Sequence, residues 1–234
     1  MKRRGVFQST SPRAGAPLHT ATTCAFYATR DDPAILKVVV SASNLGKRYG
    51  RRWIYRGIDF SLEAGEILVV TGGNGVGKST LLKTLVGLIP ATEGKVTLPV
   101  RDERVSLGYA SVEQNCYVHL TGREHLSLFA QMRGCDADVD ALLEEVGLTR
   151  AGDQLVQEYS TGMRGRLRLA LARIHQPQVL VLDEPSAGLD GPGVELVREM
   201  AVKQRERGVA ILATNDPRDV ELANVRLDLG GTPR

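Results

Sequence analysis

Gly72-Gly73-Asn74-Gly75-Val76-Gly77-Lys78-Ser79, followed by Thr80, fits the pattern G-x-x-x-x-G-K-[ST]. Glycines let a backbone bend inward so that its N–H groups surround an anion, and a helix beginning at the lysine adds its positive end. Lys78 is placed to reach the β- and γ-phosphates of a nucleotide, and the Ser79 hydroxyl to ligate Mg²⁺. Further along, Val179-Leu180-Val181-Leu182 leads into Asp183 and Glu184, an apolar strand ending in two carboxylates. Asp183 can hold Mg²⁺ directly or through water. Glu184, pointing the other way, can polarise an attacking water.

A third segment, Ser160-Thr161-Gly162-Met163, reads as a helix start with Ser160 as N-cap. A hydroxyl, bare amides and a helix N-terminus form an anion site. Ser186-Ala187-Gly188-Leu189-Asp190 ends in an aspartate before Gly191-Pro192.

These elements need a scaffold. Glu66-Ile67-Leu68-Val69-Val70 predicts a buried strand before the glycine loop, and Leu81, Leu82, Leu85 and Leu88 give helical spacing from Lys78 to about Leu88. Val38-Val39-Val40 opens an earlier strand pattern, and Ile58-Asp59-Phe60-Ser61-Leu62 alternates as a half-buried strand. Thr121-Gly122-Arg123-Glu124 is a capping box opening a helix to about Met132, with a second helix over Ala137–Val146. Pro192 and Gly208 bound another helix, and Ala210–Thr214 is a further buried strand. Strands alternating with helices predict an α/β core of mostly parallel sheet.

Taken in order, these segments resemble the ATP-binding cassette (ABC) family of transport ATPases, from about Ser43 to about Leu229. The resemblance implies a P-loop NTPase core, an N-terminal antiparallel β portion and a small helical subdomain at about 115–175, within a domain over 35–234. It also implies ATP and Mg²⁺ as ligands, with Gly72 through Thr80 around the phosphates. Two copies of the chain would sandwich two ATP molecules, with Ser160 and Gly162 of one copy facing the γ-phosphate held by the other. Separate transmembrane permease subunits would complete a transporter, with this chain on the cytoplasmic face of a bacterial inner membrane. The short body resembles exporter subunits, including those that export haem for cytochrome c maturation.

Several positions carry two readings. Asp190 resembles the aspartate that communicates across the dimer, and equally suits a helix cap. Tyr49 resembles the family's adenine-stacking aromatic; the alternative is a buried structural tyrosine. Asn215 stands where the family usually has a γ-phosphate-sensing His, and its amide can donate a hydrogen bond but cannot take a proton near neutral pH. Hydrolysis is then slower, or Asn215 only positions the phosphate. Val112 aligns with the family's metal-sensing Gln, leaving Glu113 or Gln114 to substitute.

Composition narrows the alternatives. Of 234 residues, 30 are Lys or Arg and 27 Asp or Glu. The first 30 residues hold Lys2, Arg3, Arg4, Arg13 and Arg30 without an acid, so the remainder has 25 cations against 27 acids. A near-neutral body argues against nucleic acid as partner. Residues 1–34, rich in Ser, Thr, Ala, Arg and Pro, predict a flexible tail, a start assigned too far upstream, or a targeting segment. Cys24, Cys116 and Cys135 have neither disulfide nor zinc spacing. No apolar run reaches the ~18 residues of a spanning helix.

Overall fold

The computed structural model describes residues 40–98 and 106–231, so the expectations for residues 1–34 and for Val38-Val39 lie outside the described residues. Three strands, β1 (Val40–Tyr49), β2 (Arg52–Leu62) and β4 (Glu93–Thr97), form an antiparallel sheet in the order β2-β1-β4. A second sheet is wholly parallel, in the order β5-β6-β7-β3-β8, from β3 (Ile67–Thr71), β5 (Leu107–Ser111), β6 (Val179–Asp183), β7 (Val209–Ala213) and β8 (Val225–Asp228). Helices α1 (Lys78–Leu85), α2 (Gly122–Arg133), α3 (Val139–Glu145), α4 (Thr161–Arg173), α5 (Gly191–Gln204) and the short α6 (Pro217–Val220) connect and cover it. This is the expected α/β architecture with its antiparallel portion.

The pleat sorts the parallel strands into two cores. Ile67, Val69, Leu180, Leu182, Ala210 and Leu212 face a cluster shared with α4 and α5. Their neighbours Leu68, Val70, Val179, Val181 and Ile211 face Leu81, Leu82 and Leu85 of α1 and the antiparallel sheet. Continuous apolar runs such as VLVLD are what strands covered on both faces require. Because strands in a parallel sheet run the same way, the C-terminal ends of β3, β6 and β7 share one edge. Thr71, Asp183 and Ala213 lie there, and the chain leaves each of them into a loop that carries chemistry.

Helix ends follow the sequence signals. Thr121 caps α2 by accepting from the Glu124 amide at 3.1 Å, while Glu124 Oε2 accepts from the Thr121 amide at 2.8 Å. The helix entry is also tightly packed. A Cβ on Gly122 would stand 2.2 Å from the Tyr159 hydroxyl, which donates to the Ala151 carbonyl at 2.7 Å. Tyr159 therefore anchors the segment just before Ser160.

Candidate phosphate-binding site

The loop from Gly72 to Gly77 joins β3 to α1. Gly77 has φ 118°, a conformation that side chains rarely adopt, and a Cβ there would meet Ile54 Cγ2 at 2.5 Å. It precedes α1 with no side-chain cap, so the first amides of the helix are left for an anion. Cβ atoms on Gly73 and Gly75 would meet nothing within 4 Å, so this side of the loop has room for a ligand. Gly73, Asn74 and Gly75 are exposed, while Val76 is buried and anchors the loop in the core.

Lys78, only 6% exposed, holds the loop together. Its ammonium donates to the Gly72 carbonyl at 2.8 Å and pairs with Glu184 Oε1 at 3.2 Å. With the Asn215 amide turned to satisfy both neighbours, its nitrogen donates to the Gly72 carbonyl at 2.7 Å and its oxygen accepts from Lys78 Nζ at 3.0 Å. Lys78, Glu184 and Asn215, brought from three parts of the sequence, therefore meet at one cation.

Glu184 has φ 49°, left-handed for a non-glycine residue, and its amide donates to the Ala213 carbonyl at 2.8 Å. Such a conformation costs on the order of 1–3 kcal/mol and persists where surrounding structure enforces it. Here the turn redirects Glu184 from the strand toward Lys78. Asp183, 2% exposed, accepts from the Ser79 hydroxyl at 3.1 Å. Burial pushes its carboxyl above the ordinary range, with adjacent Glu184 adding to the rise and the Ser79 bond opposing it. Two hard oxygen donors at a helix start, one of them a desolvated carboxylate, fit a divalent cation shared with phosphate. No cluster of three His, Cys, Asp or Glu side chains that could hold a metal by itself exists among the described residues.

Glu113 and Gln114 are placed differently from each other. Glu113 is exposed and pairs with Lys83 of α1 at 2.5 Å. Gln114 is half-buried with its Oε1 desolvated and unbonded. Arg168 of α4 donates to the Val112 carbonyl at 2.6 Å, fixing this loop. Sequence reasoning passed over Lys83 and Arg168, since neither belongs to a spaced motif.

Tyr49 ends β1 with 52% of its surface exposed, which excludes the buried alternative. The Lys47 ammonium sits 4.9 Å from its ring centroid. Asp190 caps α5, accepting from the Gly193 amide at 3.0 Å, and receives Arg166 Nη2 at 2.7 Å. The arginine contact holds its carboxyl below the usual range. Ser160 caps α4 by accepting from the Met163 amide at 3.2 Å and is exposed. Gly162 lies beside the turn after Glu184, where a Cβ would stand 3.4 Å from the Gly188 carbonyl. Among the described residues no hydrogen bond joins Ser160 to the phosphate loop.

The family model for "ABC transporter" matches residues 55–187, more than half the chain. This chain belongs to the ABC transporter family. Its relatives include an uncharacterised ABC transporter ATP-binding protein of Bacillus subtilis, YdbJ, 37% identical over 78% of this chain and 63% of its own length. The lantibiotic transport ATP-binding protein SrtF of Streptococcus pyogenes is 30% identical over 76% of this chain and 80% of its own. The bacitracin transport ATP-binding protein BcrA of Enterococcus faecalis is 34% identical over 77% and 62%. The chain thus spans less than two thirds of the length of YdbJ and BcrA.

Solved structures agree on the fold. An ATP-binding subunit of an ABC transporter superposes with TM-score 0.72 at 25% identity, over 82% of this chain and 87% of that one. A dimeric ATP-binding cassette in a post-hydrolysis state with ADP and Pi gives TM-score 0.73 at 21% identity, over 83% and 97%.

Proposed function

We propose that this chain binds ATP with Mg²⁺ and hydrolyses it to ADP and phosphate, as the nucleotide-binding subunit of an ABC exporter with separate transmembrane subunits. The observation that carries the reading is the meeting of Lys78, Glu184 and Asn215 beside the Ser79–Asp183 pair. The Gly72 carbonyl, the Asn215 amide oxygen and Glu184 surround the Lys78 ammonium, which a phosphate would also approach. Phosphate oxygens would take over that cation and the free amides at the start of α1. Ser79 and Asp183 would hold Mg²⁺, which neutralises phosphate charge when bound. Glu184 would accept a hydrogen bond from water and orient it. Tyr49 would stack on adenine with one ring face while the Lys47 ammonium sits against the ring. Ser160 and Gly162 of a second copy would close the site, as a helix N-terminus suits added negative charge.

No helix among the described residues is long and apolar enough to cross a membrane, so the membrane path would come from other chains. A groove of about 530 Å³ between Gln114, Cys116 and Val118 on one side and Arg164 and Arg168 of α4 on the other suits such a partner. Val118, at 43% exposed, and Val112, at 45%, give its wall apolar surface. On this reading the chain would sit at the cytoplasmic face of a membrane, in the first instance a bacterial inner membrane. SrtF and BcrA are named for peptide antibiotics, not haem, so the haem cargo of the sequence resemblance is not carried forward.

A second reading has a specific support. Asn215 holds Lys78 and Gly72 but cannot carry a proton, which suits a nucleotide-gated module that hydrolyses little. One experiment covers both. Glu184→Gln protein, run on size exclusion with ATP and Mg²⁺, should elute as a dimer and return to monomer when nucleotide is removed. Wild-type turnover measured alongside distinguishes an ATPase from a gate. Elution as a monomer under every condition would sink the sandwich in both readings.

A further inference from the structure

Asp219 is the most completely buried acid of the described chain, at 0% exposure, and the site described above does not use it. It lies in α6, a helix of four residues that follows Asn215. Its Oδ2 accepts two hydroxyl hydrogen bonds, from Ser186 at 3.1 Å and from Thr214 at 3.0 Å. Its Oδ1 is desolvated with no partner. A buried carboxylate with an unmet oxygen is costly, on the order of 1–3 kcal/mol for the unpaired group.

The two donors belong to the two segments that carry chemistry. Ser186 follows Glu184 by two residues, in a turn closed by the Ala187 amide on the Glu184 carbonyl at 3.1 Å and the Leu189 amide on the Ser186 carbonyl at 3.2 Å. Thr214 immediately precedes Asn215, and its own hydroxyl oxygen accepts from the Asp216 amide at 3.0 Å. The Thr214 amide donates to the Val70 carbonyl at 3.1 Å, which ties this end to the strand before the phosphate loop. One oxygen of Asp219 therefore joins the turn after Glu184 to the strand end before Asn215. The left-handed backbone of Glu184 needs such an enforcing contact.

We propose that Asp219 is a positioning residue, its carboxylate clamping the Ser186 turn to the Thr214 strand end so that Glu184 and Asn215 converge on Lys78. This rests on the ATPase reading only for its kinetic consequence; the clamp itself is a claim about local order.

The test compares wild type with Asp219→Ala and Asp219→Asn, measuring turnover and amide hydrogen exchange. In Asp219→Ala both hydroxyls lose their acceptor. Peptides covering 184–190 and 213–216 should exchange at least tenfold faster, while peptides covering 67–70 are unchanged. The kcat should fall tenfold or more with KM for ATP within about threefold. Asp219→Asn keeps an acceptor oxygen and should stay within about threefold of wild type in both readouts. Uniformly faster exchange across the sheet would mark ordinary loss of stability and overturn the clamp. So would unchanged exchange at either segment. If wild type hydrolyses nothing, the ATPase reading fails, and the exchange measurement still decides the clamp.

Discussion

Lys78 Nζ stands 3.2 Å from Glu184 Oε1, and the two residues come from positions 106 apart in the chain. The lysine is 6% exposed and the glutamate 30%, so the cation is desolvated while the carboxylate still reaches solvent. Removing one partner of such a pair leaves the other charge poorly compensated. The same pairing makes the two residues separable by experiment, because one is predicted to bind nucleotide and the other to turn it over.

Glu184→Gln keeps the shape of the side chain and a hydrogen-bond acceptor while losing its proton-accepting charge. ATP affinity by calorimetry should stay within about fivefold of wild type, while turnover falls by ~10²-fold or more, the scale of a lost general base. Lys78→Ala should instead lower ATP affinity by tenfold or more, since a charge-assisted contact to phosphate is worth roughly 1.5–3 kcal/mol. Full residual turnover in Glu184→Gln would remove Glu184 from the reaction.

Asp190 is visibly a cap in one copy, and its second reading concerns another copy. Asp190→Asn retains an oxygen for the Gly193 amide, whereas Asp190→Ala removes the cap and should lower the melting temperature. Because the side chain is 65% exposed, its ion pair with Arg166 contributes little by itself. If Asp190 also communicates between sites, Asp190→Asn should keep the wild-type melting temperature yet change the cooperativity of ATP turnover. Wild-type kinetics in Asp190→Asn would leave only the cap.

Much of this arrangement was legible in local patterns. The glycine loop announced itself because its strand and helix flank it in sequence, and the Asp183-Glu184 pair because Val179–Leu182 are wholly buried. The capping box at Thr121 and the Pro192 helix start are short-range signals, and both are realised. What stayed hidden depends on distance along the chain. Strand β4, EGKVT, has no buried residue and finds its place only by pairing with β1 across about fifty residues. The ion pair of Lys83 with Glu113 and the anchoring of the 112–114 loop by Arg168 join elements that no spacing rule connects. The convergence on Asp219 is of the same kind, since its partners lie 33 and 5 residues away.

His175 offers a pH-dependent measurement away from the phosphate site. It is 7% exposed, its Nε2 is 3.0 Å from the Leu107 carbonyl, and its Nδ1 is buried without a partner. Burial, reinforced by the nearby Arg133 guanidinium, pushes its pKa down from 6.5 to about 4. The unfolded chain therefore takes up a proton near pH 6.5, while the folded chain resists it until about pH 4. Across that window the unfolded state binds more protons, so stability falls as pH falls, by up to ~3 kcal/mol from this residue. The buried carboxyls Asp183 and Asp219 work in the opposite sense, since their folded pKa values are raised. Comparison with a variant isolates the histidine: His175→Gln keeps a donor for the Leu107 carbonyl but cannot titrate. Urea unfolding at pH 7 and pH 4.5 should show wild type losing more stability than His175→Gln, by roughly 2 kcal/mol. Equal losses in the two proteins would mean that His175 protonates in the fold as readily as in the unfolded chain.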